Sequence, residues 1–148
     1  MAKTILVADD DTVQRDLYRE VFKSNGYRVL AVGDGLEALD KALKDKPDLI
    51  FTGIIMPRMD GFELVRNLRN NVATSQIPVI MFSHLGRAED REKAQSLHVE
   101  FLVKGFDSPS HILGRVKELL TVPAKTPAAE PKPSIDLKDI EEQLRKNP

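Results

Sequence analysis

The 148-residue sequence contains no cysteine and no tryptophan. Without cysteine there is neither a disulfide framework nor a thiolate metal site. No long apolar run marks a signal peptide or a membrane span. The formal net charge of −1 supplies no general attraction to nucleic acid or to an anionic membrane. Also missing are a nucleophile elbow, a glycine-rich phosphate loop of the GxxxxGK[ST] kind and a metal-binding histidine pair. These absences point to a reducing cytoplasm and weigh against nucleic acid and membrane as partners.

What is present is the composition of a globular protein, 41% hydrophobic and 30% charged. The length suits one well-cored domain plus an appendage and is too short for two ordinary domains. Short β-branched runs alternate with segments of helical period. Strands are expected at Thr4 to Ala8, Tyr27 to Val32, Leu49 to Ile54, Ile77 to Ser83 and Val99 to Val103. The first and third are almost wholly apolar and should be central. Between them, Val13, Leu17 and Val21 mark one helix face, Leu36, Leu39 and Leu43 a second, and Phe62, Val65 and Leu68 a third. A fourth helix from about Ala88 to Leu97 is charge-rich, and Ile112, Val116, Leu119 and Leu120 stripe a fifth. Right-handed crossovers then give an open, doubly wound parallel sheet with helices on both faces.

After Leu120 the composition changes. "TVPAKTPAAEPKP", residues 121–133, carries four prolines among small and charged residues and reads as a linker. "SIDLKDIEEQLRKNP", residues 134–148, resumes helical spacing at Leu137, Ile140 and Leu144, with Asp136 a candidate cap. So short a helix is marginal alone, so the segment reads as a frayed or disordered end, or as a docking helix.

Ligands of open parallel sheets gather at the carboxyl ends of the strands. Asp9, Asp10 and Asp11 follow the first strand directly. Their mutual repulsion makes sense if a divalent cation or a lysine neutralises them, with Asp11 capping the first helix. Ser83 and Lys104 leave the fourth and fifth strands and should converge on the same crevice. Thr52 should face away from it, since strand neighbours point to opposite faces. Asp48 lies at the wrong end, roughly 16 Å away by strand rise. Asp60 caps the third helix, with Gly61 permitting the turn. His84 either rims the pocket or is an ordinary exposed loop histidine.

The ordered segments "ILVADDD", "GYRV", "DGLEAL", "PDLI", "IIMPRMDGFEL", "IPVIMFS" and "FLVKGF" together resemble the signature of a response regulator receiver domain, from Lys3 to about Leu120. That resemblance implies a flavodoxin-like sheet of five strands in the order 2-1-3-4-5 and a receiver-like domain over 1–120. It implies an aspartate after the third strand that accepts a phosphoryl group from a histidine kinase, with Mg2+ held by it and by the acids after the first strand. Carried over by position, Asp9 and Asp10 match the acidic pocket, Ser83 the switch hydroxyl, Phe101 the aromatic switch and Lys104 the lysine that contacts the phosphoryl group. Gly53 matches the phosphoacceptor and supplies neither nucleophile nor metal ligand. Gly105 stands where a proline usually follows the lysine, and His98 stands about where glycine is common in a segment that reads one residue short.

With Gly53 in place, Mg2+ retains Asp10, the Ile55 carbonyl and Asp9 through water, so binding should be weak, with Lys104 pairing instead with Asp9 or Asp10. The implied function is a non-phosphorylatable receiver module, not an enzyme, working through contacts with signalling proteins or by self-association on the face of the fourth helix, fifth strand and fifth helix. Two alternatives stand beside it. One is an ordinary phospho-accepting regulator carrying an Asp-to-Gly change at position 53, and the other is a hydrolase on a flavodoxin-like sheet. A flavin role lacks a hydroxyl-rich loop and a flanking tryptophan.

Overall fold

The computed structural model describes residues 2–121. The expected linker and tail segment fall outside the described residues, apart from Thr121. Strands and helices alternate as β1 (Thr4–Ala8), α1 (Thr12–Ser24), β2 (Arg28–Val32), α2 (Gly35–Asp45), β3 (Leu49–Thr52), α3 (Gly61–Arg69), β4 (Val79–Ser83), α4 (Ala88–Ser96), β5 (Glu100–Val103) and α5 (Pro109–Thr121). All strand pairs are parallel and the sheet order is β2-β1-β3-β4-β5. This is the doubly wound, flavodoxin-like architecture. Among the described residues no helix is long and apolar enough to cross a membrane.

Central strands covered on both faces must be apolar on both faces, and β3 and β4 are buried throughout. The two-residue alternation splits them between two cores. Leu6, Ile50, Val79 and Met81 pack under α2, α3 and α4, while Ile5, Leu49, Phe51, Ile80 and Phe82 pack under α1 and α5. Phe51 centres an aromatic cluster, with ring centroids of Tyr18, Phe22 and Phe82 at 5.0, 5.3 and 5.2 Å from its own.

Two helices bury a different face from the expected one. On α1 the buried residues are Gln14, Tyr18 and Phe22, whereas Val13 and Leu17 are 77% and 49% exposed. Both triplets have helical spacing, and the larger area of two aromatic rings decides between them. On α2 the buried residues are Gly35, Ala38 and Ala42, with Leu36 exposed and Leu39 and Leu43 half-buried. A Cβ on Gly35 would lie 2.0 Å from the Met59 carbonyl oxygen, so α2 turns its small residues to the surface it approaches most closely. The expected strands overrun the observed ones by up to two residues at Tyr27, Ile54, Ile77 and Val99. The segment after α4 turns through His98 at φ 58°, where His98 N–H donates to Gln95 O and Val99 N–H to Ala94 O. This is a helix-ending motif whose left-handed residue is usually glycine.

Candidate functional site

The carboxyl ends of β1, β3 and β4 meet at one crevice of about 290 Å3, lined among others by Asp9, Asp10, Gly53, Ile55, Ser83 and His84. Register places Ala8 opposite Thr52, so the residues leaving those two strands adjoin. Gly53 N–H donates to Ala8 O at 2.8 Å and extends the ladder by one step.

Asp9 is 7% exposed. Its Oδ1 accepts from Asp11 N–H at 3.0 Å, and its backbone carbonyl accepts from the Arg15 guanidinium at 2.9 Å. Burial raises its carboxyl pKa above the ordinary value. The bond from Asp11 opposes that rise, while the charges of Asp10 and Asp11 reinforce it. Asp10 is exposed on the rim. Asp11 caps α1 as expected, accepting from Val13 and Gln14 N–H at 3.0 and 3.3 Å.

Gly53 faces this carboxylate directly. A Cβ at position 53 would stand 3.6 Å from Asp9 Cγ and Oδ2, which is ordinary van der Waals contact. Gly53 is not among the glycines of positive φ, so neither space nor backbone requires glycine there. Gly61 differs: its Cβ would lie 2.3 Å from the Gly53 carbonyl oxygen. Thr52, fully buried, donates to that same oxygen at 2.9 Å, and its side chain does not line the crevice.

Ser83 is buried at the end of β4, and its Oγ accepts from Leu85 and Gly86 N–H at 3.1 and 3.0 Å. Its hydroxyl therefore shapes the loop as well as the pocket wall. Lys104 departs from expectation. Its N–H donates to Ser83 O at 2.8 Å, yet its side chain is exposed, does not line the crevice and makes no ion pair within 4 Å among the described residues. The expected pairing with Asp9 or Asp10 is thus corrected. The cause is the turn that follows: Gly105 takes φ 83°, Phe106 and Asp107 N–H close onto Val103 O, and Asp107 Oδ2 accepts from Val103 N–H at 2.7 Å. The chain curls back on itself and leaves the lysine in solvent.

Phe101 is half-buried against the core beneath α4, with the Arg91 guanidinium 4.9 Å over its ring. Asp60 caps α3 in a reciprocal box with Glu63, at 2.9 and 3.1 Å. Asp48 sits at the far end of the sheet, accepting from Thr4 N–H at 2.8 Å. His84 lines the crevice, exposed. No group of three or more His, Asp or Glu poised to hold a metal occurs among the described residues. For Mg2+ the donor set at this crevice is Asp9, Asp10 and the backbone at Ile55, a partial shell that water would have to complete.

One feature escaped sequence reading. Arg58, at φ 67°, donates from Nε and Nη2 to Asp34 Oδ2 at 3.1 and 2.9 Å, while Asp34 Oδ1 caps α2 at Glu37 N–H, 2.8 Å. The capping bond, together with Arg58, lowers the Asp34 pKa below the ordinary carboxylate value. Asp34 three residues before Glu37 is a local signal that could have shown the cap, but its partner Arg58 lies 24 residues away and leaves no such signal.

A model of the response regulator receiver domain matches residues 5–117. The chain is 34% identical over 126 residues to the DNA-binding dual master transcriptional regulator RpaA of Synechocystis, covering 84% of this chain and 52% of that protein. It is 33% identical over 131 residues to response regulator MprA of Mycobacterium tuberculosis, covering 88% and 56%. The chain therefore spans about half the length of these relatives. Among solved structures it is similar to the chemotaxis response regulator CheY4 of Vibrio cholerae, with a TM-score of 0.74, 29% identity and coverage of 81% and 100%. It is also similar to the signal receiver domain of a signal transduction histidine kinase from Syntrophus aciditrophicus, with a TM-score of 0.75, 29% identity and coverage of 81% and 91%.

Proposed function

This chain belongs to the response regulator receiver domain family of two-component signalling, and we propose that it is a member that takes no phosphoryl group and signals by protein contact alone. The observation that carries the reading is Gly53, the residue leaving β3 beside the Asp9 carboxylate. Aspartyl phosphorylation needs a carboxylate nucleophile at that point, and glycine has none. Any change of state then comes from partners that bind one conformation better than another. RpaA and MprA are named as regulators and not as enzymes, in keeping with a non-catalytic role.

The face of α4, β5 and α5 is the proposed contact surface. On it, Arg115 pairs with Glu100 at 2.6 and 2.8 Å and also with Glu118, so these charges are met within the chain. Glu89 and Glu92 on α4, and Arg87 just before it, stay exposed for a partner.

A second reading, that an ordinary regulator has lost its aspartate, is favoured by the room for a side chain at position 53. One experiment addresses both. The chain and its Gly53→Asp variant are incubated with acetyl phosphate and Mg2+ and weighed by intact mass spectrometry. The unaltered chain should gain no phosphoryl group, and an acid-labile acyl phosphate on it would overturn the proposal. Prompt modification of the variant would identify a recently disabled regulator, whereas refusal would identify a crevice adapted to another task.

A further inference from the structure

Large apolar side chains exposed among the described residues are concentrated at one end of the molecule. In a parallel sheet the helices start where the strands finish, so Val13 and Leu36, near the starts of α1 and α2, stand at the crevice end. Ile55, Leu85 and Phe106 stand there too, on the loops leaving β3, β4 and β5, and are 78%, 62% and 83% exposed. Val72, on the turn after α3, lies at the opposite end. Solvent-exposed apolar residues scattered singly need no explanation, but a group of them at one end, two of which, Ile55 and Leu85, rim a cleft, marks a contact surface.

The cleft inside that rim carries excess negative charge. Asp9, Asp10, Asp60 and Asp90 line it against Arg87 and Lys93, and Lys93 lies over the Phe62 ring at 5.0 Å. Asp9 is the least solvated of these acids. One of its oxygens is bonded to Asp11 N–H, and its Oδ2 faces the empty side of Gly53. No lysine or arginine among the described residues pairs with it within 4 Å, since Lys104 turns to solvent. A carboxylate in that situation gains from any cation brought to it with its own hydrogen bonds.

We propose that the crevice receives an arginine from a partner protein. The guanidinium enters over Gly53 and binds the Asp9 and Asp10 carboxylates, while Ile55 and Leu85, which line the crevice, close on apolar neighbours of that arginine. Arginine suits the site better than lysine because its planar fork addresses two carboxylate oxygens and is more weakly hydrated. Glycine at position 53 is what leaves the entry open, because any longer side chain there would project toward Asp9. An anionic ligand is disfavoured by the same charges. The inference rests on the reading that this site works by contact and not by phosphorylation.

The test uses n-butylguanidinium as the probe and neutral n-butylurea as its control, followed by amide NMR shifts on the full chain. The guanidinium should cause saturable shifts at Asp9, Gly53 and Ser83 and at the rim residues Ile55 and Leu85, and the urea should cause none. Asp10→Asn, an exposed change that does not threaten folding, should weaken binding about fivefold, and Asp9→Asn about tenfold or more. Gly53→Val, which fills the entry, should abolish it. Equal shifts with the urea, or shifts indifferent to all three substitutions, would overturn the proposal, as would a silent probe. A silent probe on a chain that forms no acyl phosphate would leave contact signalling standing, whereas acyl phosphate on the unaltered chain would remove the underlying reading whatever the probe does.

Discussion

The loop leaving β3 lines the crevice, the loop leaving β5 stands outside it at the same end of the sheet, and the two are held in different ways. The first, from Gly53 to Asp60, is fixed largely by residues distant in sequence, since Arg58 clamps Asp34 and the Met59 carbonyl lies against Gly35, while Gly61 fits over the Gly53 carbonyl at its end. The second, from Lys104 to Ser108, is closed mainly by bonds to Val103 within its own turn, and its lysine and phenylalanine project into solvent. The contrast shows that absence of a carboxylate at position 53 does not collapse its own loop, which has other anchors. It is the opposite loop, whose lysine would have answered that charge, that keeps only the backbone bond from Lys104 N–H to Ser83 O at the crevice wall and brings no side chain to it.

The sharpest way to break this comparison is to disturb the two glycines of the fixed loop. Gly61→Ala should cost about 3 kcal/mol in urea unfolding because its methyl group would overlap a backbone oxygen, whereas Gly53→Ala should change stability by less than about 0.5 kcal/mol. Equal costs would mean that position 53 is as constrained as position 61. Next in size, Asp34→Ala removes a helix cap and the partner of Arg58 together, and should cost about 2 kcal/mol at neutral pH. The Asp34 pKa is lowered in the folded state, so its contribution is complete above the unfolded value and disappears as pH falls through the folded one. The variant and the unaltered chain should therefore converge in acid, and a constant difference would separate Asp34 from the clamp.

Asp9→Asn tests the centre itself. The raised pKa of Asp9 means that folding stability falls as pH rises between its unfolded and folded values. The variant should accordingly melt higher than the unaltered chain at neutral pH, with the gain shrinking as the medium is acidified through that window. A lower melting temperature at neutral pH would show that the Asp11 bond outweighs burial. The smallest effect is expected from Lys104→Ala, within about 0.5 kcal/mol, as for an exposed side chain without an ion pair. A larger loss would reveal a tie between the second loop and the crevice.

The architecture was legible because parallel strands buried on both sides leave continuous apolar runs, as in "TILVA" and "LIFT". The caps at Asp11 and Asp60 were legible because capping is decided within four residues. The buried face of α1 was not, since Val13–Leu17–Val21 and Gln14–Tyr18–Phe22 share one period and differ only in rotation. Nor was the direction of Lys104, which depends on a left-handed residue after it and not on its position at a strand end. The Arg58–Asp34 clamp joins two loops whose proximity only the folded sheet creates.

The helix α4 buries a single side chain, Ala94, has no side-chain cap at its start, and leaves through a histidine in the left-handed region. Little local free energy opposes its opening, so its amides should exchange with deuterium far sooner than those of α3, which buries Phe62, Leu64, Val65 and Leu68. Under the proposed reading, in which no phosphoryl group is taken up, the chain would still own a segment whose folding a partner could tip.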